Sequence, residues 1–102
     1  MGQNNLSELI RHGNKQAIME GLLSTGAFYR MQAILGIVNH RIMNDAIKTQ
    51  LLKLKADDEN VLGYKISDFA KGALHKFGIE EYIGDDPGIL SLILADTWFE
   101  EQ

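Results

Sequence analysis

The chain has 102 residues, of which 45% are hydrophobic and 24% charged, with one proline and no cysteine. This length fits a single domain over residues 1–102, and the apolar fraction supports a hydrophobic core, which excludes general disorder. Without cysteine, disulfide frameworks, thiolate metal sites and cysteine nucleophiles are excluded. The sequence shows neither a transmembrane span nor a signal peptide, so we expect a cytoplasmic protein that does not bind membranes.

Charge divides the chain into two parts. All ten lysines and arginines lie at or before Lys76. Residues 1–76 also hold seven acids and therefore carry a net charge of +3. Residues 77–102 hold seven acids and no base, which gives a net charge of −7. The acidic end either solubilises the chain or faces a basic partner. The net charge of −4 gives no reason to expect nucleic-acid binding. The candidates for an acidic patch are Glu80, Glu81, Asp85 and Asp86.

Apolar residues recur at steps of three and four, which is typical of helices that bury one face. Only two valines and three threonines occur against thirteen leucines and eleven isoleucines, which argues against extensive sheet. The spacing predicts an all-α chain with helices over residues 5–12, 14–23, 27–42, 44–55, 61–78 and 87–99.

Local signals mark several helix ends. Asn5 and Glu8 have the spacing of a capping box, and Asn44 is a suitable N-cap. Gly13 and Gly78 are placed to end helices. Four further glycines lie inside predicted helices, where each costs roughly 1 kcal/mol relative to alanine, so they predict close approach between helices. These are Gly21, Gly36, Gly63 and Gly72.

The sequence contains an internal repeat. At an offset of 35 residues, Tyr29 aligns with Tyr64 and His40 with His75, and the helices before them align at an offset of 29. A period of this size, built from helix pairs, predicts a short α-solenoid of antiparallel pairs with about two and a half repeats.

Residues 51–78 resemble a HEAT repeat. The features that carry the resemblance are a leucine-rich stretch at 51–54, an acidic turn at 57–59 followed by Val61, and a helix with paired alanines before Gly78. Leu62 stands where the family usually has arginine. The resemblance implies a HEAT- or armadillo-like solenoid that serves as a protein-binding scaffold. Residues 62–70 and 78–82 are also similar to small bacterial helical-repeat proteins of the toxin-immunity type, which implies a protein that blocks a cognate toxin.

Motifs for catalysis and metal binding are missing. No histidine has another at i+3 or i+4, and the acidic clusters do not follow the calcium-loop pattern. The acids at 57–59 are instead expected to favour the N-terminus of the helix that follows them. The G-x-S-x-G, Walker and G-x-G-x-x-G motifs are also absent. We therefore expect no metal, no cofactor and no enzymatic activity.

Binding candidates lie along the second helix of each predicted pair. Counted from Tyr29 in the first pair and from Tyr64 in the second, positions 0, 4, 7 and 11 form one stripe along the helix. The HEAT resemblance would place this stripe on the concave face of the solenoid. With the cations that follow the tyrosines, the candidates are Tyr29, Arg30, His40, Tyr64, Lys65, Asp68, Lys71 and His75, and the first stripe also includes Ala33 and Gly36. Alternatively, the tyrosines fill gaps between repeats and the histidines are solvated helix ends.

The predicted last helix is apolar on all sides, with Asp96 as its one charge between 87 and 99. Such a helix is covered on more than one side. Either a short helix at 79–83 folds over it, or another chain does, as in a homodimer formed through residues 87–99. Trp98 and Phe99 are the candidates at the edge of that interface.

These observations favour a non-catalytic module that binds a partner protein through a solenoid face or through its acidic C-terminal region. A sharper hypothesis is an immunity protein that neutralises a toxin, because a basic toxin surface would complement the acidic end. The alternative is a small-molecule or enzymatic role in a groove between the repeats, on which Tyr64, Asp68 and His75 would converge.

Overall fold

A computed structural model describes residues 2–84, 88, 89 and 91, with side chains from Leu6 onward. This part of the chain is mostly helical, which confirms the helical prediction at a coarse level. Its elements in chain order are α1 (Gly2–Arg11), α2 (Lys15–Leu22), α3 (Ala27–His40), α4 (Asp45–Leu54), β1 (Asn60–Val61), β2 (Tyr64–Lys65) and α5 (Ile66–Lys76). None of its helices is long and apolar enough to cross a bilayer.

Side-chain caps begin two of the helices. The Ala17 N–H donates to Asn14 Oδ1 at 2.9 Å, and the Ile47 N–H donates to Asn44 Oδ1 at 2.8 Å. Each bond satisfies one of the donors that a helix start leaves unpaired. The predicted cap at Asn44 is confirmed.

Glycines in the left-handed conformation end α1 and α5, as predicted. Gly13 has φ +81° and Gly78 has φ +72°. The N–H of Gly78 donates to the His75 carbonyl, and the next N–H, that of Ile79, donates to the Leu74 carbonyl, both at 2.9 Å. Glycine adopts this conformation without the steric cost that a Cβ would impose.

The predicted start of the first helix is wrong. Helix α1 begins at Gly2, so Asn5 lies within the helix and does not cap it. The partly buried Leu6 and the fully buried Ile10 pack this helix against the core. Because packing of an apolar face stabilises a short helix more than its intrinsic preferences do, the Asn5–Glu8 spacing does not decide where α1 begins.

Helix α3 forms the centre of the molecule. It packs against α1, α2, α5 and β1, and every residue from 30 to 38 is buried. The sequence predicts a helix with one apolar face, but its neighbours cover α3 on all sides. Ala33 and Gly36 are therefore buried, and the predicted stripe on α3 is not a continuous surface.

Two glycines allow the helices around α3 to approach closely. A Cβ at Gly21 would lie 2.9 Å from both the Ala33 Cβ and the Ile10 Cδ1, and one at Gly36 would lie 3.1 Å from the Ile10 Cγ2. Separations this short exclude a larger residue unless the helices move apart. The predicted role of Gly21 and Gly36 in close helix packing is confirmed.

A β-hairpin replaces the beginning of the predicted 61–78 helix. Asn60 pairs with Lys65 and Val61 with Tyr64. The two residues between the strands, Leu62 and Gly63, have φ of +55° and +86°, as in a type I′ turn. Two successive positive φ values cannot continue a right-handed helix, so α5 begins only at Ile66. Gly63 is thus a turn residue, and the predicted placement of Gly63 and Tyr64 in a helix is wrong.

The segment after α5 folds back without forming the predicted helix at 79–83. Ile79 and Tyr82 are partly buried against the core, whereas Ile83 is exposed. From the predicted helix over 87–99, the structure describes Gly88, Ile89 and Ser91, all three helical, and Ile89 is fully buried. The interface candidates Trp98 and Phe99, and the acids Asp85 and Asp86, lie outside the described residues.

Candidate interaction site

One arginine connects the loops inside the two helix pairs. Arg30 lies in the first turns of α3 and is only 7% exposed. Its Nη1 donates to the Ser24 carbonyl at 2.8 Å, its Nη2 donates to Glu59 Oε1, and its Nε lies 2.9 Å from Asp57 Oδ2. A single guanidinium thus ties the α2–α3 loop to the segment that leads into the hairpin.

The carboxylates that face Arg30 differ in their surroundings. The Asp57 side chain is 19% exposed and that of Glu59 is 59% exposed. An ion pair in water contributes little, whereas removing one partner from a buried pair leaves a charge uncompensated. Since Nε is buried and makes no directed hydrogen bond among the described residues, its contact with Asp57 is mainly Coulombic. Asp57 is therefore the more important of the two partners.

The acidic segment also holds the base of the hairpin and the start of α5. The Ile66 N–H donates to the Glu59 carbonyl and the Ser67 N–H donates to the Asp57 carbonyl, both at 2.8 Å. The Glu59 N–H in turn donates to Asp57 Oδ1 at 3.0 Å. These backbone bonds satisfy α5 donors that its N-cap, Lys65, leaves without a side-chain acceptor. The hairpin is consequently rigid at its base.

Exposed apolar side chains lie on the two connected loops and on the first turn of α3. Leu23 is 61% exposed, Phe28 47% and Leu62 62%. Here the name loop edge denotes residues 23–29 together with residues 57–65. Three of the six large exposed apolar side chains of the described residues belong to it. Apolar patches that are contiguous and rimmed by polar residues mark protein-binding surfaces, whereas single exposed apolar side chains are common on any protein.

Both candidate tyrosines lie on the loop edge and are half-buried. The ring of Tyr29 makes an edge contact with Phe28 at a centroid distance of 6.4 Å, and the ring of Tyr64 makes one with Phe69 at 5.7 Å. Lys65 is exposed beside Tyr64. Each tyrosine thus packs on a neighbouring ring and leaves part of its own surface in contact with solvent.

Leu62 combines exposure with an unfavourable backbone conformation. Its φ of +55° is in the left-handed region, which asparagine, aspartate and glycine adopt more easily than leucine. For a side chain with a Cβ this conformation costs about 1 kcal/mol. Hydrophobic burial of Leu62 offsets little of this cost, because most of its side chain remains in contact with water.

The other candidates of the predicted Tyr64 stripe lie on α5, whereas Tyr64 lies in β2. Asp68 is buried and its Oδ1 accepts a long hydrogen bond of 3.5 Å from the Tyr82 hydroxyl, while Lys71 and His75 are half-buried. Asp68 and His75 lie seven residues apart, or about 10 Å along the helix axis. Since Tyr64 is in β2, the residues predicted as one helical stripe do not share one helix face.

His40 and Arg30, the other two candidates on α3, make contacts within the molecule. The His40 Nε2 lies 2.7 Å from the Arg11 carbonyl, and a Cβ at Gly13 would come within 3.0 Å of the His40 ring. His40 therefore joins the end of α3 to the end of α1. Because Arg30 is buried, it does not offer its side chain to a partner protein. Its contacts instead hold the two segments of the loop edge together.

Only two residues of the predicted acidic patch can be placed. Glu80 is half-buried and accepts a hydrogen bond of 2.7 Å from Lys55 Nζ, and Glu81 is exposed. Within the described residues, no three histidines or acids are grouped so that they could hold a metal ion. The charge of Glu80 is thus compensated locally, and of the two described acids of this patch Glu81 is the exposed one.

Sequence reasoning missed the apolar part of the loop edge, namely Leu23, Phe28 and Leu62. A usable signal existed for the hairpin, since Val61 and Tyr64 favour strands and enclose a two-residue connection that contains Gly63. The connection made by Arg30 had no such signal, because its acidic partners lie up to 29 residues away.

Comparisons of the chain with protein-family models, with curated proteins and with solved structures gave no match.

Proposed function

We propose that this protein is a non-catalytic interaction module that binds a partner protein through the loop edge. The observation that carries the proposal is that Leu23, Leu62 and, in the first turn of α3, Phe28 are exposed on two segments that the buried Arg30 ties together. Apolar anchors on a rigid support bind with a smaller loss of conformational entropy than anchors on mobile loops.

A helical-repeat scaffold is part of the proposal. The pairs α2–α3 and α4–α5 each pack internally, and α3 also packs along α5. This arrangement supports a HEAT-like stack of antiparallel pairs, with α1 against the first pair. An experimental structure in which one rotation and translation carries the first pair onto the second would support the stack. A crossed arrangement of α4 and α2 would contradict it.

The sharper form of the proposal is that the partner is a toxin and that this chain inhibits it. Glu81 and the acids beyond it would meet a basic surface, which accelerates encounter between the two proteins. We expect the association rate to fall as sodium chloride is raised from 50 to 500 mM, since salt screens charges that are farther apart than the Debye length. An association rate that does not depend on salt would contradict this electrostatic part.

The experiment compares three forms of the tagged chain in lysate of the source cells. These are the wild type, an edge variant with Leu23→Gln, Phe28→Ser and Leu62→Asn, and a matched control with Leu9→Gln and Leu52→Gln, which removes exposed leucines from α1 and α4. Captured proteins are identified by mass spectrometry, purified and titrated calorimetrically against each form. Thermal unfolding followed by circular dichroism verifies that all three forms are folded.

We expect a protein that binds the wild type and the control with equal affinity and the edge variant at least about 30-fold more weakly, which corresponds to about 2 kcal/mol. Equal binding by all three folded forms would show that the loop edge is not the interface. Loss of binding in the control alone would place the interface on α1 and α4.

A further inference from the structure

We infer that the hairpin tip is an insertion element, in which Leu62 enters an apolar pocket with a predominantly basic rim on the partner protein. This inference rests on the proposed function. It adds which residue enters the partner and what kind of pocket on the partner receives that residue. It begins from Leu62, whose left-handed backbone closes the hairpin turn while most of its side chain stays exposed to water. Strain of this kind persists where the surrounding structure enforces it, and it is found preferentially at binding sites.

The surroundings of the tip enforce the conformation. Below the tip, the two strands pair through Asn60 with Lys65 and Val61 with Tyr64. Below the strands, the carbonyls of Asp57 and Glu59 accept hydrogen bonds from the first turn of α5, and both side chains face Arg30. The side chain of Leu62 is therefore presented on a support fixed in three successive layers, so little motion is lost when a partner binds it.

The shape and charge of the hairpin indicate what it fits. A two-residue tip is convex, so the complementary surface is a pocket and not a flat face. The segment before the tip holds three acids, at positions 57–59, of which Asp57 and Glu59 face Arg30, and Lys65 lies on the outgoing side. With Arg30 included, three acids stand against two bases, and Asp58 is the exposed acid that does not face Arg30. A pocket that accepts Leu62 would thus be apolar inside and rimmed mainly by lysine or arginine.

The test first identifies the protein that faces the tip. The photo-crosslinking residue p-benzoylphenylalanine is introduced at the exposed Asn60, which leaves Leu62 intact, and in a control at the exposed Thr49 of α4. After irradiation in the source cells, cross-linked peptides are sequenced and the partner is purified. We expect one partner to be cross-linked from position 60 and not from 49, through residues that line a pocket.

Titration of the purified partner then measures the anchor itself. We expect Leu62→Asn to weaken binding about 30-fold. Leu62→Met, which keeps an apolar side chain of similar volume, should stay within about three-fold of the wild type. Asp58→Asn should slow association several-fold, whereas Glu20→Gln on the exposed face of α2 should leave it unchanged. The Leu62→Asn variant is expected to keep or raise the melting temperature, so its weaker binding would not come from unfolding.

Several results would overturn the inference. If Leu62→Asn binds normally while Leu23→Gln with Phe28→Ser does not, the insertion element is refuted and the loop-edge interface stands. If none of the three substitutions weakens binding, both proposals fail. A cross-link that joins only two copies of this chain, or equal losses for Leu62→Asn and Leu62→Met, would also contradict an apolar pocket on a partner.

Discussion

The pairs α2–α3 and α4–α5, which the sequence predicts as two copies of one repeat, differ in how their helices are joined. In the first pair, residues 23–26 lead directly from α2 into α3, and residues 30–38 of α3 are all buried. In the second pair, a hairpin lies between α4 and α5, and α5 keeps a half-exposed face with Lys71 and His75. A shared periodicity of apolar residues therefore specifies the helices and their inward faces, but not the geometry of the turn between them.

The largest effect is expected at the close contact of the first pair. Gly21→Val adds a branched side chain at a position where a Cβ alone would lie 2.9 Å from side-chain atoms of Ala33 and Ile10. We expect the free energy of unfolding to fall by about 3 kcal/mol, measured by urea denaturation. Glu20→Val, an exposed substitution in the same helix, should cost less than about 1 kcal/mol. Similar losses for both variants would show that α2 and α3 are not packed this closely.

The connection between the two pairs is tested at the partners of Arg30. Asp57→Ala leaves the buried guanidinium without its less exposed carboxylate and should lower the free energy of unfolding by about 2 kcal/mol. Glu59→Ala removes a carboxylate that is largely exposed to water and should cost less than about 1 kcal/mol. Chemical denaturation of both variants measures the difference. The reverse order would contradict the burial of this site.

The helix starts should behave alike in both pairs. Asn14→Ala and Asn44→Ala each remove a cap that accepts a backbone hydrogen bond of 2.8–2.9 Å. We expect each substitution to lower the free energy of unfolding by about 1 kcal/mol, again from denaturation curves. In Asn14→Asp and Asn44→Asp the cap is retained, and stability should be preserved. If only one of the two alanine variants lost stability, the cap of the other helix would not be formed in solution.

The smallest effect has the opposite sign and concerns the hairpin that only the second pair contains. Leu62→Asn relieves the left-handed strain and should raise the free energy of unfolding by about 0.5 kcal/mol. For a chain of this size the melting temperature would rise by about 2–4 °C. Thermal unfolding checks this expectation, with Leu52→Asn in the last turn of α4 as a destabilised comparison. A drop in melting temperature for Leu62→Asn would mean that the Leu62 side chain stabilises the fold.

Much of the helical framework could be predicted from the sequence, and much of the candidate site could not. The cap at Asn44 and the terminators Gly13 and Gly78 act within one turn of the chain, so their residues suffice to place them. The start of α5 was misplaced because Leu62 fits the helical spacing, although its backbone forms a turn. The candidates Tyr29 and Tyr64 do lie on the loop edge, but the exposed apolar residues around them are recognisable only from burial.

The sequence by itself determined the helical class, the ends of several helices and the need for small residues at Gly21 and Gly36. Each of these follows from short-range sterics, backbone hydrogen bonding or apolar spacing. Only the tertiary structure decided that α3 is enclosed and that Arg30 joins two loops. Both features depend on contacts between residues far apart in the chain; Arg30 and Glu59, for example, are 29 positions apart. Such contacts become favourable only when the packed helices exclude water and bring the separated groups together.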